Sequence, residues 1–425
     1  MMIHSTRRFF TIAMQIVGIV TLIGTAQADD GDSRGDSSTV DSSTMNGKVM
    51  VGYQGWFNCP SDGAELGWTH WARNSRKPFG PGNVTVDLWP DMSELESDER
   101  YPTEFKLANG QAAEVFSSGN RKTVLRHFRW MQDYGIDGAF LQRFANGVLP
   151  GRTLQHKDTV LSHVREAAEL AGRTYAVMYD LSGLRAGEVS RVRDDWSRLR
   201  EEQKVTSDST YLHHNGKPLV AVWGVGFSDK RDYSIDECLQ LVNWLKSNGC
   251  SVMLGVPSYW RDGTRDAVDD PKLHAIIKQA DVISPWSVGR YQTPTQAQRH
   301  AETVWQRDAK WCADAGLDFL PVVFPGFSWH NLHGDKLNAI PRLGGKFLWS
   351  QMVGAKQAGC KMIYVAMFDE VDEATAIFKC SDDPPVGDGA NFLTLEGLPS
   401  DHYLKLTGQG GKLIRGEIPV TAQIP

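Results

Sequence analysis

Four carboxyl groups occupy Asp369, Glu370, Asp372 and Glu373, directly after a nearly unbroken apolar run, Met362–Phe368. Packing gives no reason to gather them, because like charges at this density repel one another and resist leaving water. One reading is a solvated acidic loop. A second is acid–base chemistry, in which mutual repulsion raises one pKa so that one carboxyl stays a proton donor beside an ionised neighbour. In an extended chain Glu370 and Glu373 point to opposite sides, whereas in a helical turn their Cβ atoms come within about 5–6 Å. A third reading is a Ca²⁺ site, which also needs clustered carboxylates, although the D-x-D-x-D-G loop is absent.

The apolar run before the cluster has the pattern of a strand buried on both faces of a parallel sheet. The same pattern predicts strands over Val49–Tyr53, Ile136–Leu141, Tyr175–Tyr179, Pro218–Trp223, Ser251–Val256, Val282–Trp286, Phe319–Phe324 and Met362–Met367. Helical periodicity falls between them, over Arg121–Gly135, Asp158–Ala171, Glu188–Gln203, a segment with Cys238, Leu241, Val242 and Leu245 on one face, Lys272–Gln279, Thr295–Ala315 and Lys346–Ala358. A short helix over Ser400–Thr407 closes the chain. Eight strand–helix alternations predict an α/β fold, a single (β/α)8 TIM barrel over residues 47–425. The long insertion after strand one is too long for bare loop, and Asn83–Trp89 alternates enough to suggest a small strand or hairpin within it.

On such a barrel function gathers where the strands end and their following loops begin. The carboxyl cluster falls there. So do eight of the 14 Trp: Trp56, Trp68, Trp71, Trp89, Trp223, Trp260, Trp286 and Trp329. Flat apolar rings with a polar edge, gathered round carboxylates, suit a sugar. Other strand ends supply Gln142, Arg143, Asp180, Tyr259, Arg290 and His330. Asp180 also has the placement of a loop cap. Two carboxyl groups and a sugar site together spell O-glycosyl bond hydrolysis, with close carboxyl spacing favouring retention of configuration. The alternative is a carbohydrate-binding protein without turnover on the same scaffold. Neither reading calls for a cofactor.

A net charge of −6 over 425 residues argues against nucleic acid or an anionic membrane as the main partner. The N-terminus, residues 1–28, has the three parts of a secretory signal: Arg7 and Arg8, the apolar stretch Phe9–Gly24, and Ala26-Gln27-Ala28 as a cleavage site. Thr6-Arg7-Arg8-Phe9-Phe10 is loosely like a twin-arginine signal. The expectation is a secreted or periplasmic protein with no stable membrane insertion after cleavage, preceded by a flexible linker over residues 29–46. Export permits disulfides. Cys59 lies beyond strand one and Cys380 beyond strand eight, neighbours in a closed barrel, which predicts a bond between them. The remaining Cys238, Cys250, Cys312 and Cys360 read as small core residues.

The stretch Phe368-Asp369-Glu370-Val371-Asp372-Glu373-Ala374-Thr375-Ala376-Ile377 resembles the F-N-E-W-H-E-G-T-Q-I signature of glycoside hydrolase family 99, the endo-α-mannosidases and endo-α-mannanases. Gly52-Tyr53-Gln54-Gly55-Trp56-Phe57, Asp62-Gly63 and His70-Trp71 resemble that family's opening strand and His-Trp loop, which adds Tyr53, Trp56, His70 and Trp71 to the candidate sugar contacts. Arg342-Leu343-Gly344-Gly345-Lys346-Phe347 resembles the stretch before its final strand. The D-E-V-D-E form and Asp401-His402-Tyr403-Leu404 fit a bacterial 71/99-like branch best. The resemblance implies a retaining α-glycosidase in which Glu370 acts as a base on the sugar 2-hydroxyl and Glu373 as general acid, then base. Val371-Asp372 in place of Trp-His, and Ala374 in place of Gly, depart from the signature and withhold mannose specificity.

Overall fold

The structure is a computed structural model that describes residues 39–425. The expected signal segment and most of the expected linker lie outside the described residues. Eight parallel strands form the barrel: β1 (Val49–Tyr53), β2 (Gly138–Phe144), β3 (Thr174–Asp180), β4 (Lys217–Trp223), β5 (Ser251–Pro257), β6 (Val282–Trp286), β7 (Asp318–Phe319 and Val322–Val323) and β8 (Ile363–Val365). β1 aligns Met50 with Gly138 of β2 on one side and with Tyr364 of β8 on the other. Nearly every residue of these strands is buried, as expected where helices cover the outside and side chains fill the inside.

Closure depends on β7, expected as one strand over Phe319–Phe324 and found in two pieces. Its first piece pairs with β6 and its second with β8. Pro321 separates them because it has no N–H to give to a ladder. The ring stays joined there through Leu320 N–H donating to the Ile283 carbonyl at 2.9 Å and Tyr364 N–H donating to the Pro321 carbonyl at 3.0 Å.

The covering helices are α1 (Arg121–Asp133), α2 (Arg152–Ala171), α3 (Ser190–Glu201), α4 (Ile235–Ser247), α5 (Pro271–Ile277), α6 (Pro294–Asp314, with a π turn at Ala301–Trp305), α7 (Lys346–Gln357) and α8 (His402–Arg415). α4 opens with a capping box in which Ser234 and Glu237 satisfy each other's backbone N–H. The last helix is much longer than the expected Ser400–Thr407. Its glycines hide the continuation in the sequence, because Gly reads as a helix breaker. They serve close packing instead: a Cβ at Gly408 would lie 1.9 Å from the Tyr134 carbonyl oxygen, and one at Gly410 2.4 Å from Met352 Sδ.

Three further expectations are corrected. The insertion's hairpin is Tyr101–Lys106 with Ala112–Val115, not Asn83–Trp89. Thr85, Val86, Asp87, Leu88 and Trp89 are all buried, so their alternation reports no sheet face. Their backbone bonds are irregular, such as Thr85 N–H to the Trp71 carbonyl at 3.0 Å and Asp87 N–H to the Val371 carbonyl at 2.9 Å. Residues 39–46, expected as flexible, are tied down by Val40 N–H to the Gly172 carbonyl at 2.9 Å and His213 N–H to the Ser42 carbonyl at 2.7 Å, with Met45 wholly buried. The Cys59–Cys380 bond is not formed. Both thiols are free and buried; Cys59 Sγ donates to the Phe116 carbonyl at 3.2 Å, and Cys380 sits in a backbone bridge to Pro90.

Candidate active site

After β8 the chain runs through buried Ala366, Met367 and Phe368 and then doubles back on itself. Thr375 and Ala376 N–H both donate to the Glu370 carbonyl, at 3.1 and 3.0 Å, and Phe378 N–H donates to the Phe368 carbonyl at 3.0 Å. Arg342 Nη2 clamps the turn from outside by donating to the Ala374 and Ala376 carbonyls at 2.8 and 2.6 Å. Ala374 holds a left-handed φ of +52°, a conformation that costs a residue with a Cβ about 1 kcal/mol and that glycine adopts freely.

This fold-back sorts the four carboxyl groups into two kinds. Asp369 and Asp372 serve the scaffold. Asp369, fully buried, accepts from the N–H groups of Gln54 at 2.7 Å and Gly55 at 2.9 Å, latching the β8 loop to the end of β1. Burial pushes its carboxyl up to about 7. Asp372 lies 3.2 Å from His70 Nδ1, which in turn stacks flat on Trp56 with ring centres 3.7 Å apart.

Glu370 and Glu373 instead line a cavity of about 500 Å³ at the mouth of the barrel. Glu370 Oε1 accepts from Gln54 Nε2 at 2.7 Å, and its Oε2 accepts from the Thr375 hydroxyl at 2.8 Å. Glu373 is half-buried, and the neighbouring Trp329 indole N–H favours its ionisation without reaching full hydrogen-bond geometry. Both carboxyls are pushed up. Burial is the larger cause for each; repulsion by Glu373 adds to it for Glu370, and repulsion by Asp372 for Glu373. Two such groups, each raised by burial and by neighbouring charge, titrate as a pair.

Trp56, Gln142, Asp180, Trp223, Trp286, Arg290 and Trp329 join the Glu pair in this lining. Asp180 fills both of its expected places, because its carboxylate also accepts from its own turn at Ser182 N–H, 2.7 Å away. Burial raises its pKa. Arg290 is held by Asp266 at 2.6 Å. Gln54 Oε1 and the indole nitrogens of Trp56, Trp223 and Trp329 have no hydrogen-bond partner although buried. A buried polar atom left unpaired costs about 1–3 kcal/mol, and these four belong to residues that wall one cavity.

The other candidates face elsewhere. Tyr53 is buried behind the strand ends, its hydroxyl 2.9 Å from His127 Nδ1. Trp71 is wholly buried among Phe57, Phe79 and Phe116, and its indole donates to the Phe116 carbonyl at 3.2 Å; Trp68, Trp89 and Trp260 are likewise buried. Arg143 is committed to Asp195 and Asp158. Tyr259 lines a separate groove, and His330 Nδ1 lies 2.8 Å from the Asp335 carbonyl oxygen. His70 covers one face of Trp56, so that face does not receive a sugar.

Sequence reasoning passed over Gln54, Phe144, Ser182, Phe227, Arg231 and Phe327, which also line the cavity. Gln54 was readable, since it sits between Tyr53 and Trp56 in the opening motif. Arg231 was not: it lies in a polar loop after β4 and reaches the cavity by lying 4.9 Å over the Trp223 ring. Among the described residues no group of His, Cys, Asp or Glu is arranged to hold a metal ion.

The barrel and the long β1 insertion together define a family of folds known from solved structures. The chain is similar to the GH99 endo-alpha-mannosidase from Bacteroides thetaiotaomicron, with a TM-score of 0.64 and 14% identity over 88% of this chain and 99% of that one. The same enzyme in complex with bis-tris-propane gives a TM-score of 0.63 at the same identity and coverage. No family model matches the sequence, and no curated protein matches it. At this identity the likeness concerns the (β/α)8 fold. No helix among the described residues is long and apolar enough to cross a membrane.

Proposed function

We propose that the chain is an exported glycoside hydrolase that cleaves an α-linked glycan with retention of configuration, through Glu370 and Glu373. The observation that carries this reading is the sorting of the β8 loop. Asp369 is taken up by two backbone N–H groups and Asp372 turns one oxygen to His70, whereas Glu370 and Glu373 are presented to a cavity walled by tryptophans. A purely structural acidic loop would leave none facing inward.

Hydrogen bonding supports one division of roles between the pair. Glu370 accepts two donors, which stabilise its ionised form, and Glu373 accepts none with full geometry, so Glu373 holds the proton. Ionised Glu370 takes the proton of the sugar 2-hydroxyl as that oxygen attacks the anomeric carbon, a displacement that requires the 2-hydroxyl to stand trans to the departing oxygen. Glu373 gives its proton to the departing glycosidic oxygen. Water, deprotonated by Glu373, then opens the 1,2-anhydro ring at the anomeric carbon, and Glu370 returns its proton to the 2-oxygen. Two inversions at that carbon give net retention. The tryptophan rings of the cavity wall supply apolar faces for a sugar, and the similarity of fold to an endo-alpha-mannosidase supports an α-linked substrate.

A panel of α-linked oligosaccharides, each with its 2-deoxy counterpart at the cleaved sugar, tests this route. Glu370-dependent cleavage of the parent sugar and none of the 2-deoxy sugar is expected. Equal cleavage of both would exclude the 2-hydroxyl as nucleophile. Binding without cleavage of any member would favour a carbohydrate-binding protein.

A further inference from the structure

Across the wall formed by Trp56 and Phe144 lies a second cavity of about 340 Å³, which shares Gln54, Trp56, Gln142 and Phe144 with the first. Resting on the hydrolase reading above, we propose that this cavity binds an anionic group, a carboxylate or sulfate ester, on the sugar next to the one being cleaved. The substrate is then an acidic α-glycan.

Lys157 of α2 carries the argument. It lines the second cavity and has no ion pair or hydrogen bond among the described residues. Its Nζ lies 5.7 Å from the centre of the Phe144 ring. The absence of a side chain at Gly147 makes room for it, since a Cβ there would stand 2.9 Å from Lys157 Cε. The acids nearby are already occupied. Asp195 is shared between Arg143, Arg198 and Tyr179, and Asp180 accepts from its own turn. Burial first, and the Arg143 charge second, push the Lys157 ammonium down to about 8, against the pull of Asp180 and Asp195. Lys157 is only partly buried, and its ammonium stands at the cavity with no hydrogen-bonded counter-ion, a place that a ligand anion would fill.

The opposite flank of the catalytic cavity has the same sign. Through Gly289 and Arg290 it meets a groove bearing Arg265, Arg299 and Arg307. Arg299 and Arg307 have no ion pair among the described residues. In a chain of net charge −6, cations on both sides of a carboxylate pair are not a by-product of composition. They suit a glycan that carries repeated negative charge.

Calorimetry on the Glu373→Gln chain, with methyl α-glucoside, methyl α-glucuronide and methyl α-glucoside 6-sulfate as probes, tests the site. One of the two anions should bind at least about tenfold more tightly than the neutral glucoside, and which one does so names the group. Lys157→Met should abolish the preference with an unchanged melting temperature, and Lys157→Arg should keep it. Equal binding of all three, binding of none, or a preference that survives Lys157→Met overturns the proposal. Turnover is scored separately on neutral and acidic glycans. Glu-dependent cleavage of neutral glycans without any anion preference would overturn the acidic substrate and leave the hydrolase. Lys157-dependent anion binding without Glu-dependent turnover on either set would support the site and overturn the hydrolase.

Discussion

Two buried polar clusters lie near the mouth of this barrel, and they are built on opposite terms. In the first, Arg143 on β2 donates to both oxygens of Asp195, at 2.5 and 2.9 Å, and to Asp158 at 2.8 Å. Arg198 and the Tyr179 hydroxyl fill the remaining places on those carboxylates. No side-chain atom of these five residues is buried without a partner. In the second, Glu370, Glu373 and their neighbours line a cavity, and within its wall four polar atoms, Gln54 Oε1 and the indole nitrogens of Trp56, Trp223 and Trp329, are buried without a partner. A closed network holds the barrel together; an open one waits for a ligand. Charge alone does not separate them, since both are rich in carboxylates. Satisfaction of hydrogen bonds does.

The difference has consequences in both directions. Glu370→Gln and Glu373→Gln keep shape and remove ionisation, so each should lower turnover by at least about 10²-fold with an unchanged melting temperature. Asp195→Asn should do the reverse in kind. It leaves the Arg143 guanidinium buried and under-compensated, which costs about 3–5 kcal/mol in denaturant unfolding. Retained stability in Asp195→Asn would break the contrast from that side.

Trp71→Ala sharpens the same point among aromatics. The ring is wholly buried, so its removal should cost about 3–5 kcal/mol of stability and leave sugar affinity in the folded fraction unchanged. Trp329→Phe, at the cavity, should weaken sugar binding and barely move the melting temperature.

The smallest effect is one of pH. Burial raises Asp369 from 3.8 to about 7, so the folded chain holds a proton that the unfolded chain releases. That contribution is complete below about pH 4 and is lost as pH rises through about 7. Asp195 behaves oppositely. Burial would raise it, but the Arg143 hydrogen bond and charge outweigh burial and hold it low, so its contribution is lost as pH falls through its folded pKa. Asp369→Asn should therefore flatten the unfolding free energy between about pH 4 and 7, whereas Asp195→Asn should flatten it on the acid side. The same slope between pH 4 and 7 in wild type and Asp369→Asn would show that Asp369 is not the group concerned.

The barrel was legible in the sequence because buried parallel strands and amphipathic helices alternate with clear periods. β6 matches its expected limits, and β7 shifts by one residue at each end of the expected Phe319–Phe324 and is interrupted where Pro321 lacks an N–H. α8 was misjudged because Gly408 and Gly410 read as stops, when tertiary contact with Tyr134 and Met352 requires them. In the site, polarity after β8 located the cluster, but residue type could not sort Asp369 from Glu370. Which way each carboxyl turns depends on partners more than 300 positions away, Gln54 for both. Trp56 and Trp71 look alike in sequence and differ in fate for the same reason. Cys59 and Cys380 were paired on the adjacency of β1 and β8, but each thiol is enclosed by its own neighbours.

The most direct measurement is the anomeric configuration of the first-formed product, followed by proton NMR on an α-linked glycan that the wild-type protein cleaves, with Glu370→Gln and Glu373→Gln in parallel. The account predicts the α-anomer first, with the β-anomer growing in only through mutarotation, and no product above background from either variant within the wild-type reaction time. A β-anomer formed first, or product from both variants at the wild-type rate, would contradict it.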